Sequence, residues 1–123
     1  MMAVAKDLKV QGEIRFNEPM SRHTSWRVGG PAEIFFVPSS IDDLASFLAE
    51  LDADTALFWH GVGSNLLVRD AGLPGVVISA SKMLKHIERV GDRQVRAGAG
   101  VPCTSLARQC VRWQLGPSEF FAG

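Results

Sequence analysis

The sequence predicts an α+β fold, on three observations: short apolar strand-like runs punctuated by glycine and proline, two stretches of helical periodicity, and a hairpin signature near Gly91-Asp92. The chain has 123 residues, of which 46% are hydrophobic, enough to bury one ordinary core. No repeat, low-complexity tract or Gly/Ser linker divides it.

The elements follow in order. Residues 1–25 mix apolar, polar and charged positions and are expected to form an arm with little regular structure, leaving 26–123 as the folded domain. Glu33–Val37 is an apolar run entered from Gly29-Gly30-Pro31 and closed by Pro38, which predicts a strand. Ser40 and Asp43 have the spacing of a capping box. Ile41, Leu44, Leu48 and Leu51 then lie along one helical face, expected to cover a sheet. Ala56–Trp59 is expected as a short buried strand, His60–Asn65 as a glycine-bearing loop, and Leu66–Val68 as extended chain. Gly72-Leu73-Pro74-Gly75 predicts a turn and Val76–Ser79 a strand. His86–Val90 and Gln94–Ala97 flank Gly91-Asp92 as a hairpin. A last helix is expected over Cys103–Leu115, with Leu106, Cys110 and Trp113 inward, Gly116 just past its end and Pro117 preventing continuation.

Composition excludes several functions. Thirteen basic residues balance thirteen acidic ones and are scattered, so the electrostatic footprint of a nucleic-acid or anionic-membrane partner is missing. No run of about 20 apolar residues spans a bilayer, and Met1–Lys9 lacks the apolar stretch of a signal peptide. Cys103 and Cys110 fall seven residues apart on the last helix, roughly 10 Å at 1.5 Å per residue, too far for a disulfide. Two reduced, buried, structural thiols and a cytoplasmic location are the expectation. His23, His60 and His86 lack metal-ligand spacing, so no metal site is expected.

The informative stretch is His60-Gly61-Val62-Gly63-Ser64-Asn65-Leu66-Leu67. Its two glycines permit positive φ and can turn successive N–H groups to one side, a concavity suited to anionic oxygens. Ser64 offers a hydroxyl donor and Asn65 an amide beside it. The dinucleotide fingerprint does not match, because Leu66 stands at the third-glycine position and no helix follows; the Gly-Lys-Ser/Thr of a P-loop is absent. A glycine-rich connection without a ligand remains open on spacing alone. A nucleophilic Ser64 with His60 and Asp70 is disfavoured, since Gly-Val-Gly-Ser-Asn is not the strand-to-helix elbow. Glu119 is as suited to a structural hydrogen bond as to catalysis.

Four segments carry a resemblance: Asn17-Glu18-Pro19 with His23-Thr24-Ser25-Trp26-Arg27-Val28-Gly29-Gly30-Pro31-Ala32; Gly61-Val62-Gly63-Ser64-Asn65-Leu66-Leu67-Val68-Arg69-Asp70; Ala97-Gly98-Ala99-Gly100-Val101; and Glu119-Phe120-Phe121-Ala122-Gly123. In this order they resemble the UDP-N-acetylenolpyruvoylglucosamine reductase family. The resemblance implies an FAD-binding domain of the vanillyl-alcohol-oxidase (PCMH) type, built of two small α+β subdomains and incomplete at its C-terminus. It implies FAD bound by Gly61, Val62, Gly63, Ser64, Asn65 and Leu66. It also implies NADPH and UDP-N-acetylglucosamine enolpyruvate as partners of the full-length enzyme in peptidoglycan synthesis, with catalytic residues beyond Gly123 and a substrate domain elsewhere. His60 departs from the family's usual glycine, and Pro117-Ser118 from its usual Gly-Leu. An FAD-binding domain of another oxidoreductase of this fold, or a non-catalytic nucleotide-binding module, is the alternative.

Overall fold

The computed structural model describes residues 9–118 and Phe121. Glu119, Phe120, Ala122 and Gly123, and the first eight residues of the expected arm, lie outside the described residues. Two compact units divide at Met83/Leu84. Each is α+β.

The first unit contains β1 (Glu13–Pro19), a 3-10 turn (Met20–His23), β2 (Pro31–Val37), α1 (Ile41–Glu50), β3 (Leu57–His60) and β4 (Leu73–Ser79). Its four strands have the order β1-β2-β4-β3. β1 runs antiparallel to β2, whereas β2–β4 and β3–β4 are parallel. Glu13–His23, expected to be irregular, is therefore an edge strand and a turn. The strand EIRFNEP carries charges at an open edge, which disguises it in the sequence and discourages pairing with other chains.

Alternation along β2 and β4 sends residues to two cores. Ile34, Phe36, Val76 and Ile78 meet Phe47 of α1, whose ring stacks on Phe36 at 4.1 Å. Phe35, Val77, Ala32, Met20 and Val68 form the second core, over which the 3-10 turn and the loop before β4 are laid. Burying a phenylalanine such as Phe47 contributes about 1.5–3 kcal/mol, so α1 is held by this face more than by its own propensity. Leu44, Leu48 and Leu51 flank that contact as expected, but Ile41 is exposed and Phe47 is the buried centre.

Residues 72–75, expected to turn, instead lead into and begin a strand. β4 begins at Leu73, with Pro74 and Gly75 inside it. The β2 register jumps there, from Ala32 opposite Leu73 to Ile34 opposite Val76. Pro74 thus sits where no ladder bond needs its missing N–H. A Cβ at Gly75 would lie 2.4 Å from the Ala56 carbonyl oxygen, which accepts a bond from Val76 N–H at 2.9 Å. β3 is likewise an edge strand rather than a buried one, with Leu57 and Trp59 exposed. Leu66–Val68 carries no ladder.

Asp43 binds the N-terminal segment to α1. Ser40 Oγ accepts from Asp43 N–H at 3.0 Å, as the capping spacing requires. The Asp43 carboxylate turns instead to the N–H groups of Gln11, Gly12 and Ser39, at 2.8–3.0 Å. Burial opposes its charge, and these backbone donors overcome that opposition, holding it below the usual carboxylate range.

The second unit contains the antiparallel hairpin β5 (Ile87–Val90) and β6 (Gln94–Ala97) and the helix α2 (Cys103–Arg112). Ala107 and Cys110 are buried; Cys103, expected inside, is exposed. The helix ends earlier than expected. Gln114, at φ 57°, takes the left-handed position that Gly116 was expected to supply. Leu115 N–H donates to Cys110 O at 2.9 Å and Gln114 N–H to Val111 O at 3.0 Å, the paired bonds of a Schellman end.

Candidate functional site

The loop between β3 and β4 is fixed by the segment that follows the 3-10 turn. His60, the last residue of β3, donates from Nε2 to the His23 carbonyl oxygen at 2.8 Å. Three residues on, the Gly63 carbonyl accepts from Ser25 N–H at 3.0 Å. Gly63 has φ +75°, and a Cβ there would lie 2.0 Å from the same His23 oxygen. Glycine is required at 63 because another backbone passes against it. Gly61 differs: its φ is not positive, and a Cβ on it would meet nothing within 4 Å. The expectation that both glycines serve positive φ holds for Gly63 alone.

Above this loop lies an open groove of about 900 Å³, lined by Ser21, Arg22, His23, Thr24, Ser25, Arg27, His60, Gly61, Val62, Ser79 and Ser81. Of the six loop residues singled out in the sequence, Gly61 and Val62 reach this lining. Gly63 is buried, Ser64 and Asn65 are exposed outside the lining, and Leu66 packs on the second core. Residues 21–25, Arg27 and the hydroxyls of Ser79 and Ser81 line the groove without having been singled out in the sequence. Their signal was present in His23-Thr24-Ser25-Trp26-Arg27, which carried the resemblance but whose residues received no role of their own.

The groove's electrostatics turn on Glu18. This carboxylate is 4% exposed and meets Arg15 Nη1 at 2.6 Å, His23 Nε2 at 3.4 Å and Arg22 Nη1 at 3.6 Å. Burial raises its pKa, but the bond from Arg15, with the His23 imidazole nearby, outweighs burial and holds it below the usual carboxylate range. The His23 ring stacks on Phe35 at 4.2 Å and meets the His60 ring edge-on at 6.1 Å. His60 is buried, which pushes its pKa down; with Nε2–H donating to a carbonyl, it is the neutral tautomer with hydrogen on Nε2. Its Nδ1 is buried with no hydrogen-bond partner among the described residues.

This arrangement suits binding of an anionic, hydroxylated ligand. Five hydroxyl side chains and two guanidiniums line the groove, with no carboxylate in the lining. His60 Nε2 is committed to the His23 carbonyl, so it does not serve as a base for Ser64. Among the described residues no group of three His, Cys, Asp or Glu is placed to hold a metal ion. No helix of the described residues is long and apolar enough to cross a membrane.

Comparison with known proteins bears on the same region. Residues 32–120 match the family described as FAD binding domain. The chain is 50% identical over 123 residues, all of its length, to UDP-N-acetylenolpyruvoylglucosamine reductase of Alkalilimnicola ehrlichii, covering 41% of that protein. It is 48% identical over 113 residues, 92% of the chain, to the reductase of the same name from Legionella pneumophila strain Paris, covering 37% of it. With that of Methylococcus capsulatus it shares 49% over 107 residues, 87% of the chain and 35% of the relative. The chain thus spans about two fifths of the length of the curated relatives it matches.

Proposed function

The chain belongs to the family of FAD binding domains, and on that premise we propose that it is the cofactor-binding part of an NADPH-dependent reductase of UDP-N-acetylglucosamine enolpyruvate, forming UDP-N-acetylmuramate. The groove beside the Gly61–Gly63 loop carries this reading. Its residues fit the cofactor: Gly61 faces open space, the loop leaves room for phosphate oxygens, and Ser21, Thr24, Ser25, Ser79 and Ser81 suit ribityl and phosphate oxygens. Gly61 and Val62 would contact the cofactor directly. Gly63 would set the loop's shape, and Ser64, Asn65 and Leu66 complete the proposed binding stretch.

The bound flavin supplies hydride transfer, which no amino-acid side chain does. This chain's residues bind, orient and exclude water. Reduction of an enol ether also needs a proton donor and stabilisation of the charge between the two transfers. No carboxyl group lines the groove, and we place the donor in the part of the relatives' length that this chain does not span. Residues 1–123 alone are accordingly expected not to turn over the substrate. A cytoplasmic location belongs to the same proposal and is supported by two free thiols.

The test is expression of the full reading frame that carries this chain. Purified protein should show a flavin spectrum, release FAD on denaturation, and oxidise NADPH only when the enolpyruvyl substrate is present. Colourless protein that gains no flavin on titration would refute the reading. Residues 1–123 assayed beside it with FAD and NADPH should show no substrate-dependent oxidation.

A further inference from the structure

We propose that Arg22 is a phosphate-binding residue of the groove, held beside Glu18 but not tightly bound to it. The proposal rests on the reading of the groove as the cofactor site. Three groups approach Glu18 unequally: Arg15, which it shares with Glu13, at 2.6 Å, His23 Nε2 at 3.4 Å and Arg22 at 3.6 Å. Arg15 does not line the groove; Arg22 does, with 69% of its side chain exposed.

The unequal distances divide the labour. A pair at 3.6 Å with a long, exposed arginine contributes little to stability, so Arg22 can exchange this partner for a ligand at small cost. The carboxylate is nevertheless close enough to keep the guanidinium at the groove's edge, which lowers the ordering cost when an anion arrives. Backbone amides of the Gly61–Gly63 loop supply only partial charges, whereas a diphosphate carries full ones. A guanidinium offers parallel N–H donors that match two phosphate oxygens. The ligand class is therefore a diphosphate ester, met by Arg22 in the groove that Gly61 and Val62 also line.

The experiment uses the full-length protein, stripped of flavin and titrated with FAD at low and high potassium chloride. Wild type, R22A, R22K and R15A are compared, each first checked by thermal melting. R22A should melt as wild type does, bind FAD about tenfold or more weakly at low salt, as loss of a charge-assisted bond requires, and show a shallower salt dependence. R22K should fall between. R15A should also weaken FAD binding, because Glu18 then draws Arg22 away. R22A that binds as tightly as wild type, or binds weakly with an unchanged salt dependence, would overturn the assignment of Arg22 while leaving the cofactor reading intact. Wild type that binds no FAD would overturn the cofactor reading itself.

Discussion

His60 and His23 are joined through the backbone: the buried His60 imidazole donates from Nε2 to the His23 carbonyl oxygen at 2.8 Å, closing the loop against the preceding segment. The same oxygen excludes any side chain at 63. One acceptor therefore fixes both the residue that begins the loop and the residue at its bend.

Burial depresses the His60 pKa from 6.5, so the folded chain takes up this proton less readily than the unfolded chain. Its contribution to stability is complete above 6.5, declines as pH falls below that value, and is gone below the depressed folded pKa. His60→Gln keeps a donor without the titration. Urea unfolding of wild type should weaken just below pH 6.5, and the variant's should be flatter over that window.

Gly63→Val and Gly61→Val should separate folding from binding. At 63 a side chain meets the His23 oxygen at 2.0 Å and a positive φ; a β-branched residue there costs about 1–3 kcal/mol or more, with loss of both Tm and flavin. At 61 nothing is nearby in the protein, so Tm should be kept while flavin affinity falls. Gly61→Val protein with wild-type FAD content would remove residue 61 from the site.

Asp43→Ala would strand backbone donors from Gln11, Gly12 and Ser39. The expected cost is about 3 kcal/mol, because paired groups are left without a partner rather than replaced together. The Asp43 pKa is depressed on folding, so its contribution is present above the ordinary 3.8 and lost as pH falls through the folded value. Urea unfolding at neutral pH should reveal the difference between variant and wild type, and it should shrink in acid.

Gln114→Gly should stabilise the second unit. The residue holds φ 57° in a Schellman end, where glycine avoids the Cβ penalty. A gain of about 1 kcal/mol, read as a raised unfolding midpoint, is expected.

Thiol chemistry should distinguish the two cysteines of α2. Cys103 is exposed and Cys110 buried, so native protein should react quickly at one thiol and yield the second only in denaturant. Recovery of neither thiol in non-reducing denaturant would contradict their free state.

Much of the fold was legible because local chemistry and tertiary packing agreed. The apolar run of β2, the Ser40 cap, the β5–β6 hairpin and the start of α2 each follow from near neighbours. What was hidden depends on distant partners. β1 is a strand only because β2 pairs with it, and Pro74-Gly75 lie in a strand only because Ala56 approaches there. Ile41 and Phe47 compete for the inward face of α1, and periodicity favours Ile41; the stack on Phe36 decides for Phe47. In the site, the loop was visible by its glycines, whereas the groove wall at Ser21–Arg27 was not, since its place depends on the bond from His60.

The strand order also governs when this unit can exist during synthesis. β4 is the last strand of the sheet in sequence yet lies between β2 and β3. Until Ser79 has left the ribosome, β2 and β3 have no common neighbour, and Phe35 and Phe36 have nothing to close over them from Val76–Ile78. Pairing Ala32 with Leu73 spans a long stretch of chain, so the entropy of closing that loop falls due all at once. The nascent chain therefore passes through a window in which β2 is complete, paired with β1 on one edge, and unpaired on the edge that β4 will take.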